Sequence, residues 1–145
     1  MMHHYIEMIL VSAIILFCGY HTSYAQTQSE IVTATIIMEA GGEYSEGAMQ
    51  AVHEVIMNRV AKRKLTPKEV CLQPYQFSCW NGKDVASQVI KAKRHPRWRE
   101  AFAITLCPPT SYAMGADHYH ADYCDPYWSK SMRVVARIGK HIFYK

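Results

Sequence analysis

The chain has no block of Lys and Arg of the kind that tracks a nucleic-acid backbone, although sixteen Lys and Arg outnumber twelve Asp and Glu across its 145 residues. The densest basic stretches, Ala61 to Lys64 and Lys91 to Arg99, fall at or between expected helix ends, where they read as solvated faces favoured by the helix C-terminal dipole. A nucleic-acid partner is therefore not expected. Cys-x-x-Cys and His-Glu-x-x-His are both missing, which removes the commonest zinc signatures. Internal repeats, low-complexity tracts and interdomain linkers are missing as well, and this excludes solenoids and leaves one domain. No uncharged apolar run reaches the length of a membrane span; residues 8 to 18 supply about 11 such positions where a span needs about 20.

What is present begins with that short run. It is followed by Ser23-Tyr24-Ala25, small residues at the two positions a signal peptidase reads, so a secretory signal over residues 1–25 is expected, cut near Ala25. The segment has no Lys or Arg before its apolar run, and its positive charge rests on the terminal amine. The expected mature chain, residues 26–145, is exported to the periplasm or the extracellular space. It loses Glu7 with the leader, so its net charge rises from +4 to about +5. A basic exported protein favours anionic polymers, among them cell-wall glycan. Half of the residues are hydrophobic, enough for an ordinary single-domain core.

Four cysteines remain in the mature chain: Cys71, Cys79, Cys107 and Cys124. An even number in an exported protein implies two disulfides with three possible connectivities. Cys71 with Cys79 and Cys107 with Cys124 is the favoured pairing, because each pair brackets one irregular segment. His118-x-His120, with His141 further on, is a competing metal-ligand set, since alternate residues of a strand point the same way.

The chemistry concentrates in the stretch from Met38 to Arg59. From Ala48 onward, Ala48, Ala51, Val52, Val55, Ile56 and Val60 recur at helical spacing and describe an amphipathic helix. Ahead of it, Glu39, Glu43 and Glu46 surround the Gly41-Gly42 pair, which lets the backbone turn sharply. Glu39 closes the apolar run Ile31 to Met38, and a carboxyl with hydrocarbon on one side can stay protonated near neutral pH and act as a general acid.

A helix is expected from Glu30 to about Ala40 with Ser29 as N-cap, and a longer one from Ser45 to about Lys62. Thr66-Pro67-Lys68-Glu69 is a capping box with proline at the first helical position, predicting a short helix to Leu72. The loop Gln73 to Gly82 is rich in aromatics and amides, which suits a sugar groove or a loop pinned to a core. Helices are expected over Val85 to Ala92 and from Pro96 to Leu106, the latter with Trp98, Ala101, Phe102 and Leu106 as its core stripe. Beyond Ser111, alternation and aromatics in Ala116 to Tyr123, Pro126 to Trp128 and Arg137 to Lys145 predict three short antiparallel strands.

Taken together, Glu39-Ala40-x-Gly42-Glu43, Glu46-Gly47, Ala51-Val52, Ile56-x-Asn58-Arg59-Val60, Gln76-Phe77-Ser78, His118-Tyr119-His120, Pro126-x-Trp128 and Ile138-Gly139-x-His141-Ile142-Phe143-Tyr144 resemble the SleB/CwlJ cell wall hydrolase family. The resemblance runs from about residue 30 to the end. It implies an α+β, mainly helical lysozyme-like domain with a small antiparallel sheet. It also implies cleavage of the β-1,4 bond between N-acetylmuramic acid and N-acetylglucosamine in peptidoglycan, with Glu39 as general acid. Departures are Met38 where the family usually has Gly, Gly41 where Arg or a polar residue is common, and Cys124 at a position usually apolar, which supports its pairing with Cys107.

Glu43 is the second carboxylate candidate. A hydrolase needs such a group about 5 Å or about 6.5–9.5 Å from the acid, whereas a lytic transglycosylase needs none, and the latter is the preferred reading. Gln76, Phe77, Ser78, His118, Tyr119 and His120 are the expected groove residues, with at least one of the two histidines structural. Asn58 and Arg59 are expected to pin helix to loop. The expected partners are glycan strands, with no cofactor, no stable membrane insertion and a monomeric state. The alternatives are a peptidoglycan-binding module without activity and a metal-dependent amidase using His118, His120 and His141.

Overall fold

The computed structural model describes residues 25–145; the expected signal segment falls almost wholly outside them. Among the described residues, five α-helices precede a three-stranded sheet: α1 Gln28–Ala40, α2 Ala48–Arg63, α3 Pro67–Leu72, α4 Val85–Lys93, α5 Trp98–Leu106, β1 His118–Ala121, β2 Val134–Ile138 and β3 His141–Tyr144. Short 3-10 turns occupy Ser78–Trp80 and Tyr127–Ser131. No helix among the described residues is long and apolar enough to cross a membrane.

Helix α1 is the hub. Ile31, Val32, Ala34, Ile36, Ile37 and Ala40 are all buried, so its apolar surface runs around the cylinder, as in a helix enclosed by others. It packs against α2, α3, α4 and α5. Its two interior threonines are satisfied locally: Thr33 Oγ1 donates to Ser29 O (2.7 Å) and Thr35 Oγ1 to Ile31 O (2.8 Å). Trp80 Nε1 then donates to Thr35 Oγ1 at 3.0 Å, fastening the aromatic loop to the hub. Thr27, not Ser29, caps α1, because Glu30 three residues on completes a capping box with it.

Helix α2 starts at Ala48 rather than at Ser45, after Gly47 at φ 79°, where the Tyr112 ring leaves no room for a side chain. The capping box at Thr66 forms as expected. Helix α5 begins two residues after Pro96, and only Ala101 of its expected stripe is fully buried; Leu106 is 65% exposed.

The sheet is antiparallel in the order β1-β3-β2. The segment Pro126 to Trp128 is not a strand, and the edge strand is Val134–Ile138 instead. Phe143 at the sheet centre packs on Ala51 and Val55 of α2 and on Ala113 and Ala116, which docks the sheet against the helices.

All four cysteines are free thiols, which corrects both expected bridges. Cys71 is buried in the helical core, Cys79 packs at its edge, and Cys107 and Cys124 are exposed at α5's end and after β1. Bracketing an irregular segment was no guide, because these loops are already held by Trp80, Gln88 and the β1–β3 ladder.

Candidate active site

Glu39 lies in the last turn of α1, half-buried, with a single strong hydrogen bond to its carboxylate: Tyr119 Oη donates to Oε2 at 2.7 Å. Burial, with the Glu39 charge beside it, holds the Tyr119 phenol far above its ordinary range, so the ring keeps its proton and acts as a donor. The Cys79 thiol sits next to the same carboxylate, and burial together with Glu39 pushes that thiol up as well. Burial pushes the neighbouring Cys71 thiol up to about 12. These are inert, protonated thiols rather than nucleophiles.

Tyr119 is aimed by α2. Glu54, Asn58, Arg59 and Lys62 project from one helical face and seize the segment leading into β1. Glu54 accepts the Ala113 and Gly115 N–H groups, both at 2.7 Å. Asn58 Nδ2 donates to Ala116 O (2.8 Å), and Arg59 Nε donates to Asp117 O (2.7 Å). Lys62 Nζ reaches Asp117 Oδ2 at 2.5 Å, and His118 Nδ1 lies 2.7 Å from Asp117 Oδ1. Burial alone would raise the Asp117 carboxyl, but these two partners hold it below its usual range. Asn58 and Arg59 thus pin helix to loop, as expected.

Strand alternation sorts the remaining candidates. Tyr119 pairs with Phe143 and Ala121 with His141, so Tyr119, His141 and Phe143 share the face turned to the helices. His118 and His120 point the other way, where Trp128 lies 5.3 and 5.6 Å from their ring centres and Tyr144 stacks on His120 at 5.2 Å. Both His120 ring nitrogens are engaged, by Ala121 O at 2.8 Å and Tyr144 Oη at 2.7 Å, which makes it structural. The expected trio His118, Tyr119 and His120 is therefore split, and only Tyr119 meets Glu39. The same split keeps His118, His120 and His141 from converging on a metal, and no other such cluster of three occurs among the described residues.

Glu43 serves the β2–β3 turn. Its oxygens accept the Lys140 N–H at 3.2 and 3.3 Å, and His141 Nδ1 lies 3.3 Å from Oε1 without hydrogen-bond alignment, an ionic contact only if the ring is protonated. Gly139, at φ 54°, has no room for a side chain against this carboxylate and Ser45. Arg97 fixes the loop from the other side: Nη1 donates to Glu43 O at 2.5 Å while its fork binds Glu100 at 2.7 Å twice. Glu46 is exposed and meets Tyr112 Oη at 3.3 Å.

In the loop Gln73 to Gly82 the expectations divide again. Phe77 is 2% exposed and lies under the Arg59 guanidinium at 5.1 Å, so it is core and not groove floor; this corrects its expected contact with substrate. Gln76 is taken up by Arg63 at 2.8 Å. Ser78 is exposed and, with Cys79, lines an open trough of 650 Å³ that runs past Met38, His95 and Pro96.

Glu54 and Arg97 were not singled out from sequence, and Cys79 was read only as a disulfide partner. A signal existed for Glu54, which lies one turn before Asn58 on the same face of a helix. None existed for Arg97 or Cys79, whose partners are distant in the chain.

Tyr119→Phe is expected to lower kcat about tenfold at little cost in KM or melting temperature, because it removes the hydrogen bond that orients the Glu39 carboxyl without opening a cavity. Steady-state kinetics on peptidoglycan with a parallel thermal melt checks this.

A family model described as Cell Wall Hydrolase matches residues 42–144, a span that begins just after Glu39. The fold is similar to the catalytic domain of the germination-specific lytic transglycosylase SleB from Bacillus anthracis, with 24% identity, TM-score 0.61, and 86% of this chain and 98% of that one covered. It is also similar to the catalytic domain of the Bacillus cereus SleB protein, with 25% identity, TM-score 0.56, and 88% and 99% covered. No curated protein matches the sequence.

Proposed function

We propose, from the premise that this chain belongs to the cell wall hydrolase family, that it cleaves the β-1,4 bond between N-acetylmuramic acid and N-acetylglucosamine with Glu39 as the sole acid and base. The observation that carries the reading is the Glu39 carboxyl itself, half-buried at a helix end, held by Tyr119 and flanked by Met38 and Cys79, which line an open trough. Its proton passes to the bridging oxygen as the C1–O4 bond breaks and positive charge builds on the muramoyl ring. Tyr119 donates to Oε2 and so orients the carboxyl toward that oxygen.

The second step distinguishes the two glycosidic routes. Glu43 is the other carboxylate in the motif, yet its oxygens are taken up by the Lys140 N–H. That engagement favours the lytic transglycosylase route, in which the muramoyl 6-hydroxyl attacks C1, its proton returns to Glu39, and a 1,6-anhydro end is left. Glu43 then acts by holding the β2–β3 turn beside the site. Glu43→Gln keeps one acceptor for Lys140 and is expected to lower cleavage less than tenfold, whereas loss of a catalytic second carboxylate costs about 10²-fold or more.

Peptidoglycan lies outside the cytoplasm, and the proposed route there is export with cleavage near Ala25. Digestion of purified peptidoglycan followed by mass spectrometry of the fragments tests the reaction. Anhydromuramic ends are the expected product; reducing ends would mean hydrolysis, and freed stem peptides an amidase.

A further inference from the structure

The 650 Å³ trough opens beside the last turns of α1, and its lining includes Met38 and Cys79, the neighbours of Glu39. Met38, next to Glu39 in the chain, and Cys79, whose thiol neighbours the carboxylate, form its near end, and Gln88 ties them by donating to Met38 Sδ at 3.6 Å and to Cys79 O at 2.5 Å. The near wall is apolar, from Ile37 and Met38, with Pro96 further along. The far side is cationic. Lys91 and Arg94 project there with no carboxylate within ion-pair distance among the described residues, in contrast to Lys62, Lys93 and Arg97, which are all paired. His95 completes the rim. Its Nδ1 accepts the Arg97 N–H at 3.2 Å, so the neutral ring presents Nε2–H as a donor.

The sugars of a stem-bearing strand carry no charge, because each lactyl carboxyl is tied up as the amide to the stem, so they offer a cationic cluster hydrogen-bond acceptors but no ion pair. The muramoyl residue, however, carries at O3 a short peptide stem with free carboxylates and alanine methyls, close to the bond that Glu39 would break. We infer that the trough is a stem subsite, in which Lys91, Arg94 and His95 bind stem carboxylates while Ile37, Met38 and Pro96 receive the methyls. Extended peptide advances about 3.3–3.6 Å per residue, so a stem of three or four residues reaches roughly 10–14 Å along such a trough. The inference rests on the glycosidic reading above for its biological use, but the binding step can be measured without turnover.

Two arms test it. In the first, N-acetylmuramoyl tetrapeptide is titrated calorimetrically into Glu39→Gln protein, with and without Lys91→Ala and Arg94→Ala together. The double change is expected to weaken binding at least tenfold, as loss of charged hydrogen bonds does. Equal affinity, or no binding to the Glu39→Gln parent, overturns the subsite. In the second arm, cleavage by otherwise unaltered protein is compared on stem-bearing strands and on strands stripped of stems by an amidase, with the lactyl carboxylates so exposed capped as methylamides. A preference of about tenfold for stem-bearing strands is expected, falling towards one in the double variant. Equal cleavage of both strands by the parent overturns the subsite. If neither strand is cut while the titration difference persists, the glycosidic reading fails and the stem subsite stands.

Discussion

Glu39→Gln is expected to reduce peptidoglycan cleavage by about 10³-fold or more, the scale of a lost general acid that also serves as the base, and so about 4 kcal/mol of transition-state stabilisation. The amide occupies the same volume and its oxygen can still accept the Tyr119 O–H that now measures 2.7 Å, so the end of α1 and the trough beside it stay in place. What disappears is the transferable proton. Neither neighbour can supply it, because burial keeps the Tyr119 and Cys79 protons firmly bound and Glu43 is committed to the β2–β3 turn. Two measurements are needed together: product release, which should fall to background, and co-sedimentation with insoluble peptidoglycan, which should be unchanged. Cleavage at the parent rate would remove Glu39 from the mechanism.

The largest stability effect is expected at Glu54. Its carboxylate is 3% exposed and is held by two backbone N–H groups, Ala113 and Gly115, at 2.7 Å each. Bonds to a charged acceptor contribute about 1.5–3 kcal/mol apiece, and truncation leaves buried donors unmet. Glu54→Ala should therefore cost about 3–5 kcal/mol, read as a lower urea midpoint and a melting temperature lower by roughly 10 °C or more. Glu54→Gln, which retains one acceptor oxygen, should fall between. Activity should decline with stability, since the segment that Glu54 grips feeds directly into Tyr119. A change below about 1 kcal/mol for the alanine variant would mean that Asn58 and Arg59 hold the segment without it.

Some of this architecture could be read from short stretches alone. The Thr66 capping box and the long amphipathic helix through Val52 and Val55 follow rules that span only a few residues. Thr27 carried the same signal with Glu30, in competition with Ser29, and the reach of Glu30 to the Thr27 N–H at 2.9 Å decides between them. The edge strand Val134–Ile138 was harder, because an edge with an exposed Val134 lacks a clean burial alternation. Phe77 misled for a related reason: an aromatic beside amides has the same composition whether it faces a sugar or an arginine in the core.

By itself, then, the chain's order of residues determined the helices and the identity of the acid candidate, because capping, periodicity and a carboxyl closing an apolar run are written within one or two turns. Only the tertiary structure decided the acid's company. Tyr119 reaches Glu39 across 80 residues of chain, α2 sets the strand that carries it, and strand alternation sends the two flanking histidines to the opposite face. Such partnerships arise from packing between distant segments, and no local pattern encodes which side of a sheet will meet which end of a helix.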